Sequence, residues 1–252
     1  MISGKIVAGA MLVSQCKDLL DITTNNLLKY CDWILIVMDN ETDEVREKVY
    51  EIQKKNHGKM FVRRSSIPSC VFSRRGNLLN YRQRWKSCKG AIRHGVFSCL
   101  KDILALGMEN YKKIDILLWP DHDLIFSDYL PELLEMFIES DKKAISMQHV
   151  EAVGDMKMIA RSSIGHHVHI MKYSEDLAGV PRRFFALYHP LCRSDLMFAD
   201  YYSVHLAYLT EQNKKWRENN WKRDVMSECK TYKISVDAEK MRPDEIKNIL
   251  DN

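Results

Sequence analysis

Trp33 to Met38 (WILIVM) and Ile114 to Trp119 (IDILLW) are short, almost wholly apolar runs. A surface helix would interleave polar residues every third or fourth place, and a half-exposed strand would alternate. Runs like these fit strands covered on both faces, as in a parallel sheet. Lys5 to Ser14 reads as a further buried strand at the start of the chain. Asp18 to Tyr30 places Leu19, Leu20, Ile22, Leu27 and Leu28 at helical spacing. Val45 to Lys55 reads as a charged amphipathic helix, and Met60 to Arg64 as a short strand. The β-α-β-α-β alternation predicts an α/β fold with a mainly parallel central sheet and helices on both faces.

The rest of the chain is read in the same way. Ser65 to Asn77, with Pro68 and Gly76, reads as loop. Leu78 to Leu106 reads as a long helix that stops at Gly107. Ser127 to Ser140 is an amphipathic helix, with Ser127 or Asp128 as its cap and Pro131 in its first turn. Strands are expected at Lys143 to Gln148, His167 to Met171 and Phe184 to His189. Val153 to Ile164 carries no clear period. Ser194 to Glu211 reads as a helix, and so does Pro243 to Leu250. No repeat or linker divides the 252 residues, so one domain over 1–252 is expected.

Composition narrows the class. At 46% hydrophobic and 29% charged residues the chain is globular with a proper core. A net charge of +4 permits a polyanionic partner without requiring one. The seven cysteines are scattered and none forms a CxxC pair, which argues against a zinc ribbon or a disulfide framework. The apolar run Ile6 to Val13 is short for a signal peptide and no cleavage site follows it. No stretch is long enough to span a membrane. The expected compartment is the cytoplasm, that of a host if the chain is viral.

Both leading runs end in carboxylates. Pro120 stops the second, and Asp121-His122-Asp123 follows; the first runs into Asp39, Asn40, Glu41 and Asp43. In an extended segment residues i and i+2 point the same way, so Asp121 and Asp123 are expected to converge just past the strand. Open α/β sheets bind ligands at such strand ends, and parallel neighbours share one rim. Two hard oxygen donors there suit Mg²⁺ or Mn²⁺ with phosphates filling the shell. A carboxylate such as Asp39 suits sugar hydroxyls, because it accepts two hydrogen bonds at once.

In this order the elements resemble the GT-A glycosyltransferases, in particular family-2-like enzymes. Val37-Met38-Asp39-Asn40-Glu41-Thr42-Asp43 is similar to the family's D-x-S-T-D type motif at the end of the second strand. The basic helical stretch from Arg82 to Leu106 and then Ile114 to Asp123 match the order that leads to its DxD motif. The resemblance covers roughly residues 5–148. It implies a GT-A-like (Rossmann-like) domain whose residues 1–125 bind a nucleotide-sugar and whose residues 126–252 form the acceptor half and C-terminal helices. It implies that Asp39, with Asn40 and Asp43, contacts the nucleotide of the donor, and that Asp121 and Asp123 hold Mn²⁺ or Mg²⁺ against its diphosphate. The family commonly adds a late histidine to the metal. His189, in Leu187 to Ser194, is the first choice, and His169 or His167 the second.

His167 and His169 also share one strand face, where an independent zinc pair is conceivable. A reaction that inverts the sugar needs a base at the acceptor hydroxyl. Glu151 and Asp155 follow a strand and are candidates, with Asp195 and Asp200 later. Arg82, Lys89 and Arg93 can share a helix face and help neutralise a diphosphate. Lys214 to Arg223 mixes cations with Trp216 and Trp221, a composition that stacks on sugars or bases or docks on a core.

The function expected is transfer of a sugar, from a UDP-sugar by preference, to a hydroxyl on a glycan or modified DNA. Two rivals use the same residues differently. One is a nucleotidyltransferase or metal-dependent phosphoesterase built on DHD and the histidines. The other is a non-enzymatic nucleic-acid-binding protein using residues 214–223.

Overall fold

The computed structural model describes residues 2–13, 17–38, 41–64, 114–162, 166–173, 193–211, 214–215 and 230–251. The helix expected over 78–106, the strand over 184–189, most of the 214–223 segment, and the candidates Asp39, Asn40, Arg82, Lys89, Arg93 and His189 lie outside the described residues.

The first four strands are β1 (Val7–Val13), β2 (Trp33–Met38), β3 (Met60–Arg64) and β4 (Ile116–Leu118). They lie in the order β3-β2-β1-β4, and every neighbouring pair is parallel. β2 is buried at every position, which is why its sequence shows no alternation. α1 (Leu20–Tyr30) and α2 (Asp43–Lys55) join these strands. Gly9 lets α1 lie against β1: a Cβ there would meet Leu27 Cγ at 2.8 Å and Cys31 Sγ at 3.0 Å. The Thr42 hydroxyl caps α2 by accepting from the Val45 N–H at 3.4 Å.

The second half holds β5 (Leu124–Phe126), β6 (Ala144–Val153), β7 (Asp155–Arg161), β8 (His167–Lys172), β9 (Leu196–Tyr208) and β10 (Thr231–Lys233), with helices α3 (Leu130–Glu139) and α4 (Pro243–Asp251). β8 is antiparallel to both β4 and β6, so β6 runs the same way as β4. β7 continues the line of β8 along one edge of β6, and β9 runs parallel to β6 along the other. β5 closes onto the far edge of β9, antiparallel, and β10 onto β7. The α/β class and the flanking helices are as expected. The sheet is parallel in its first half and mixed in its second, because Gly154, at φ +75°, turns β6 directly back into β7 without a crossover helix.

Residues 196–208 correct the helix expected over Ser194 to Glu211. Their apolar residues can be read at helical spacing, but both edges of the segment are taken by β6 and β5. Aromatic and β-branched residues such as Tyr201, Tyr202 and Val204 suit that role. The parallel register with β6 slips from Gln148↔Asp200 to Val150↔Val204, so β9 accommodates extra residues there, and Tyr201 takes a φ of +64°. The periodless stretch after Val153 is β7. Among the described residues no helix is long and apolar enough to cross a membrane.

The path from β4 to β5 matters most for the site. The Trp119 N–H still donates to the His169 carbonyl of β8 at 2.6 Å, while the Asp123 carbonyl already accepts from Leu206 N–H of β9 at 2.6 Å. Residues 120–122 therefore carry the chain past β6.

Candidate functional site

Strands β2 and β4 flank β1 and point the same way, so their carboxyl ends share one rim, as their sequences implied. Met38 is level with Val13 and Leu118 with Gly9. That offset of four residues is about 13 Å at the usual strand rise, a distance that Trp119 to Asp121 run into. Just past β2, Glu41 is engaged: its carboxylate takes Arg46 Nε at 3.1 Å and Arg64 Nη2 at 2.6 Å. Burial works against the charge on Glu41, but a hydrogen bond from its own backbone N–H, followed by those from Arg46 and Arg64, outweighs it and holds the carboxyl below its usual range. Asp43 stands exposed in the first turn of α2, where Arg46 Nη1 reaches it at 2.8 Å.

Asp121 to Leu124 is a turn, closed by the Leu124 N–H donating to the Asp121 carbonyl at 3.1 Å. The extended geometry expected of Asp121 and Asp123 is thus replaced by one in which their burial differs. Asp121 is exposed and Asp123 is 9% exposed. The physical reason is Pro120, which ends strand pairing, followed by the need to turn into β5. Asp123 faces inward, with Oδ2 3.4 Å from His205 Nε2.

Beneath this turn lies a polar layer on one face of β8, β6 and β9, buried except at the half-buried His167. β6 contributes His149 and Glu151, β8 contributes His167 and His169, and β9 contributes Ser203 and His205. The ring centroids of His149 lie 5.0 Å from His169, 6.2 Å from His167 and 6.4 Å from His205. His169 Nδ1 is 2.8 Å from the Trp119 carbonyl; a carbonyl only accepts, so this nitrogen carries the hydrogen. With the Trp119 N–H bonding back to the His169 carbonyl, the DHD turn is fastened at its start. His149 Nδ1 and Ser203 Oγ are 2.5 Å apart, and the Ser203 hydroxyl donates to Met147 Sδ at 3.3 Å. His205 Nδ1 lies 2.7 Å from Glu151 Oε2, and Glu151 Oε1 accepts from the Ser162 hydroxyl at 2.6 Å.

The charges in this layer are strongly biased. Burial opposes a cationic His205, but the carboxylates of Glu151 and Asp123 outweigh it and push its pKa up to about 10. Burial drives the pKa of His149 well down, and the neighbouring His169, His205 and His167 add to this, so His149 is neutral.

The other candidates fall elsewhere. Glu151, expected as a base near the acceptor, is 2% exposed with both oxygens engaged, so a substrate hydroxyl has no path to it. Asp155 sits exposed at the β6–β7 hairpin, accepting from the Lys157 N–H at 2.7 Å. Asp195 pairs with Lys143 at 3.0 Å, at the opposite end of β6 from Glu151, about 25 Å away along the strand. Asp200 lies 3.3 Å from His166 Nε2. His167 and His169 do share a face, with rings stacked at 6.1 Å.

His205, Ser203 and Ser162 are the site residues that sequence reading missed. A signal existed. His149-x-Glu151, His167-x-His169 and Ser203-x-His205 are each polar pairs at strand spacing. The third was hidden because its segment reads as helical.

Among the described residues no group of three or more His, Cys, Asp or Glu side chains is arranged to hold a metal ion. The pair Asp123 and His205 is nonetheless spaced as two ligands of one ion. At metal–ligand distances near 2.1 Å, adjacent ligands stand about 3.0–3.4 Å apart. Two protein ligands suffice where diphosphate and water complete the shell.

No family model matches the chain, and no curated protein sequence matches it. Several solved structures overlap it. It is 11% identical to the mannosyltransferase PcManGT from Pyrobaculum calidifontis, solved with GDP-Man and Mn²⁺, covering 86% of this chain and 61% of that one at a TM-score of 0.49. It is 12% identical to a fragment of S. aureus TarS in complex with UDP, covering 80% of this chain and 60% of the other at a TM-score of 0.49. It is 13% identical to 4-diphosphocytidyl-2C-methyl-D-erythritol synthase from Anaerococcus prevotii, covering 88% of this chain and 98% of that one at a TM-score of 0.47.

Proposed function

We propose that this chain is a metal-dependent glycosyltransferase that moves a sugar from a nucleotide-sugar, a UDP-sugar by preference, to a hydroxyl acceptor. The observation that carries the reading is the contact between Asp123 and His205, 3.4 Å apart beneath the turn that follows β4. It puts a carboxylate and an imidazole together beside a rim of parallel strands, where α/β sheets bind their ligands.

In this reading residues 1–125 bind the donor, and residues 126–252 add the acceptor half. Asp39, Asn40 and Asp43, which follow β2 in the sequence, would meet the nucleotide. Arg82, Lys89 and Arg93 would help neutralise the diphosphate. Asp123 and His205 would hold Mn²⁺ or Mg²⁺, and Asp121, on the exposed side of the same turn, would reach the ion through one of its bound waters; His205 takes the place first given to His189. The metal, when bound, neutralises charge on the departing nucleoside diphosphate. The protein's own part is to keep these donors fixed. The clamp between Trp119 and His169 holds the start of the turn, and the hydrogen bond from Leu206 to Asp123 holds its end. The acceptor, a glycan or modified DNA, enters from the side of the second half.

The test is a thermal-shift panel of nucleoside diphosphates and nucleotide-sugars with and without Mn²⁺, followed by product analysis. A ligand that binds only the folded state raises the melting temperature. A Mn²⁺-dependent shift with one nucleotide, and release of its free diphosphate in the presence of acceptor, is the expected result. Release of pyrophosphate or inorganic phosphate would replace this reading with nucleotidyl transfer or phosphoester hydrolysis. A shift with oligonucleotides alone would replace it with nucleic-acid binding.

A further inference from the structure

We infer that Glu151 is a positioning residue for the cation site, with Ser162 as its brace. The inference rests on the metal reading of Asp123 and His205 given above.

Four side chains from different parts of the sequence form a line across the sheet. Ser162 Oγ to Glu151 Oε1 is 2.6 Å, Glu151 Oε2 to His205 Nδ1 is 2.7 Å, and His205 Nε2 to Asp123 Oδ2 is 3.4 Å. Each member is set by backbone pairing. Glu151 and His205 are register partners on the parallel strands β6 and β9. Ser162 follows Arg161, which pairs with Val150 on the other edge of β6. Asp123 precedes Leu124, the register partner of His205 on β5. All four residues are at most 9% exposed.

The imidazole has one useful orientation. With Nδ1 held by Glu151, Nε2 faces Asp123, and an ion bound there would replace the proton that Nε2 carries in the metal-free protein. A ring without that hold turns about its own bonds and loses its aim. A carboxylate on the far nitrogen also makes the near one a better donor to a metal. Ser162 occupies the other oxygen of Glu151, so the carboxylate is held at both ends and does not swing toward Asp123. Glu151 therefore never touches the sugar or the acceptor. It acts through His205.

The experiment measures Mn²⁺ binding by electron paramagnetic resonance, from the loss of the free-ion signal, on chelator-treated wild-type protein and variants, with Mn²⁺ alone and with UDP present. Folding is checked by circular dichroism and melting temperature. Wild type binds Mn²⁺ and Asp123→Asn does not. Glu151→Gln weakens Mn²⁺ binding by about tenfold to a hundredfold, and Glu151→Asp, which keeps the charge, recovers part of it. Ser162→Ala weakens it by less, and Ser162→Thr restores it. If Glu151→Gln does not fold, the Ser162 pair decides. Folded Glu151→Gln or Ser162→Ala protein that binds Mn²⁺ as tightly as wild type overturns this inference and leaves the metal reading standing. Wild-type protein that binds no Mn²⁺ under either condition overturns both.

Discussion

Glu151 and His205 sit directly opposite each other on neighbouring parallel strands, and His205 Nδ1 lies 2.7 Å from Glu151 Oε2. They are 54 residues apart in the chain. With Asp123 on the far nitrogen, the ring sits between two carboxylates in a place almost closed to water. That arrangement has consequences for stability and for binding.

The first consequence is a pH dependence. The folded-state pKa of His205 is raised to about 10 from the ordinary imidazole value of 6.5. A raised pKa means that the stabilisation is fully present below about pH 6.5 and is lost as pH rises through about 10. The melting temperature of the chelator-treated protein is therefore expected to fall between pH 7 and 10. His205→Gln should lower the melting temperature at pH 6.5 and flatten this slope. A variant as steep as wild type would remove His205 as its source.

Asp121 and Asp123 should behave differently when neutralised. Asp123 is buried against a cationic ring, and removing its charge leaves that ring with one carboxylate fewer. Asp123→Asn is expected to cost about 3 kcal/mol of stability, the usual scale for breaking a buried ion pair, as well as nucleotide-dependent binding. Asp121 is exposed, so Asp121→Asn should change stability by no more than about 0.5 kcal/mol while still losing the Mn²⁺-dependent nucleotide shift. Urea unfolding of both variants, alongside the thermal-shift assay, makes the comparison.

The mixed donor pair sets a metal preference. Imidazole suits transition ions, whereas Mg²⁺ favours an all-oxygen shell. The protein should bind Mn²⁺ more tightly than Mg²⁺, and His205→Asp should narrow the gap. Competition of Mg²⁺ against bound Mn²⁺ measures it; no change in the ratio would exclude His205 from the shell.

Gly9 offers a test of the fold away from the site. A Cβ at this position would stand 2.8 Å from Leu27 Cγ and 2.9 Å from Leu27 Cδ2. Gly9→Ala should destabilise the protein by about 1–3 kcal/mol through overpacking between β1 and α1, read as a lower urea midpoint with an unchanged slope.

Local pattern determined much of this protein. Trp33 to Met38 carries no polar residue, and only a strand buried on both faces accepts that. Val45, Val49 and Ile52 fall on one side of α2 and are its buried residues. Pro120 ends β4 pairing wherever the chain goes next. These are properties of neighbours in sequence, so the first, parallel half and the acid-bearing rim could be read from residue order alone. Residues 196–208 could not, because their spacing admits a helix and only the edges of β6 and β5 make them a strand. The line from Ser162 through Glu151 and His205 to Asp123 was equally hidden. It depends on which strands pair and on a register slip between β6 and β9 that brings Glu151 level with His205. Hydrogen bonds between strands far apart in the chain settle those questions, and no periodicity within either strand encodes them.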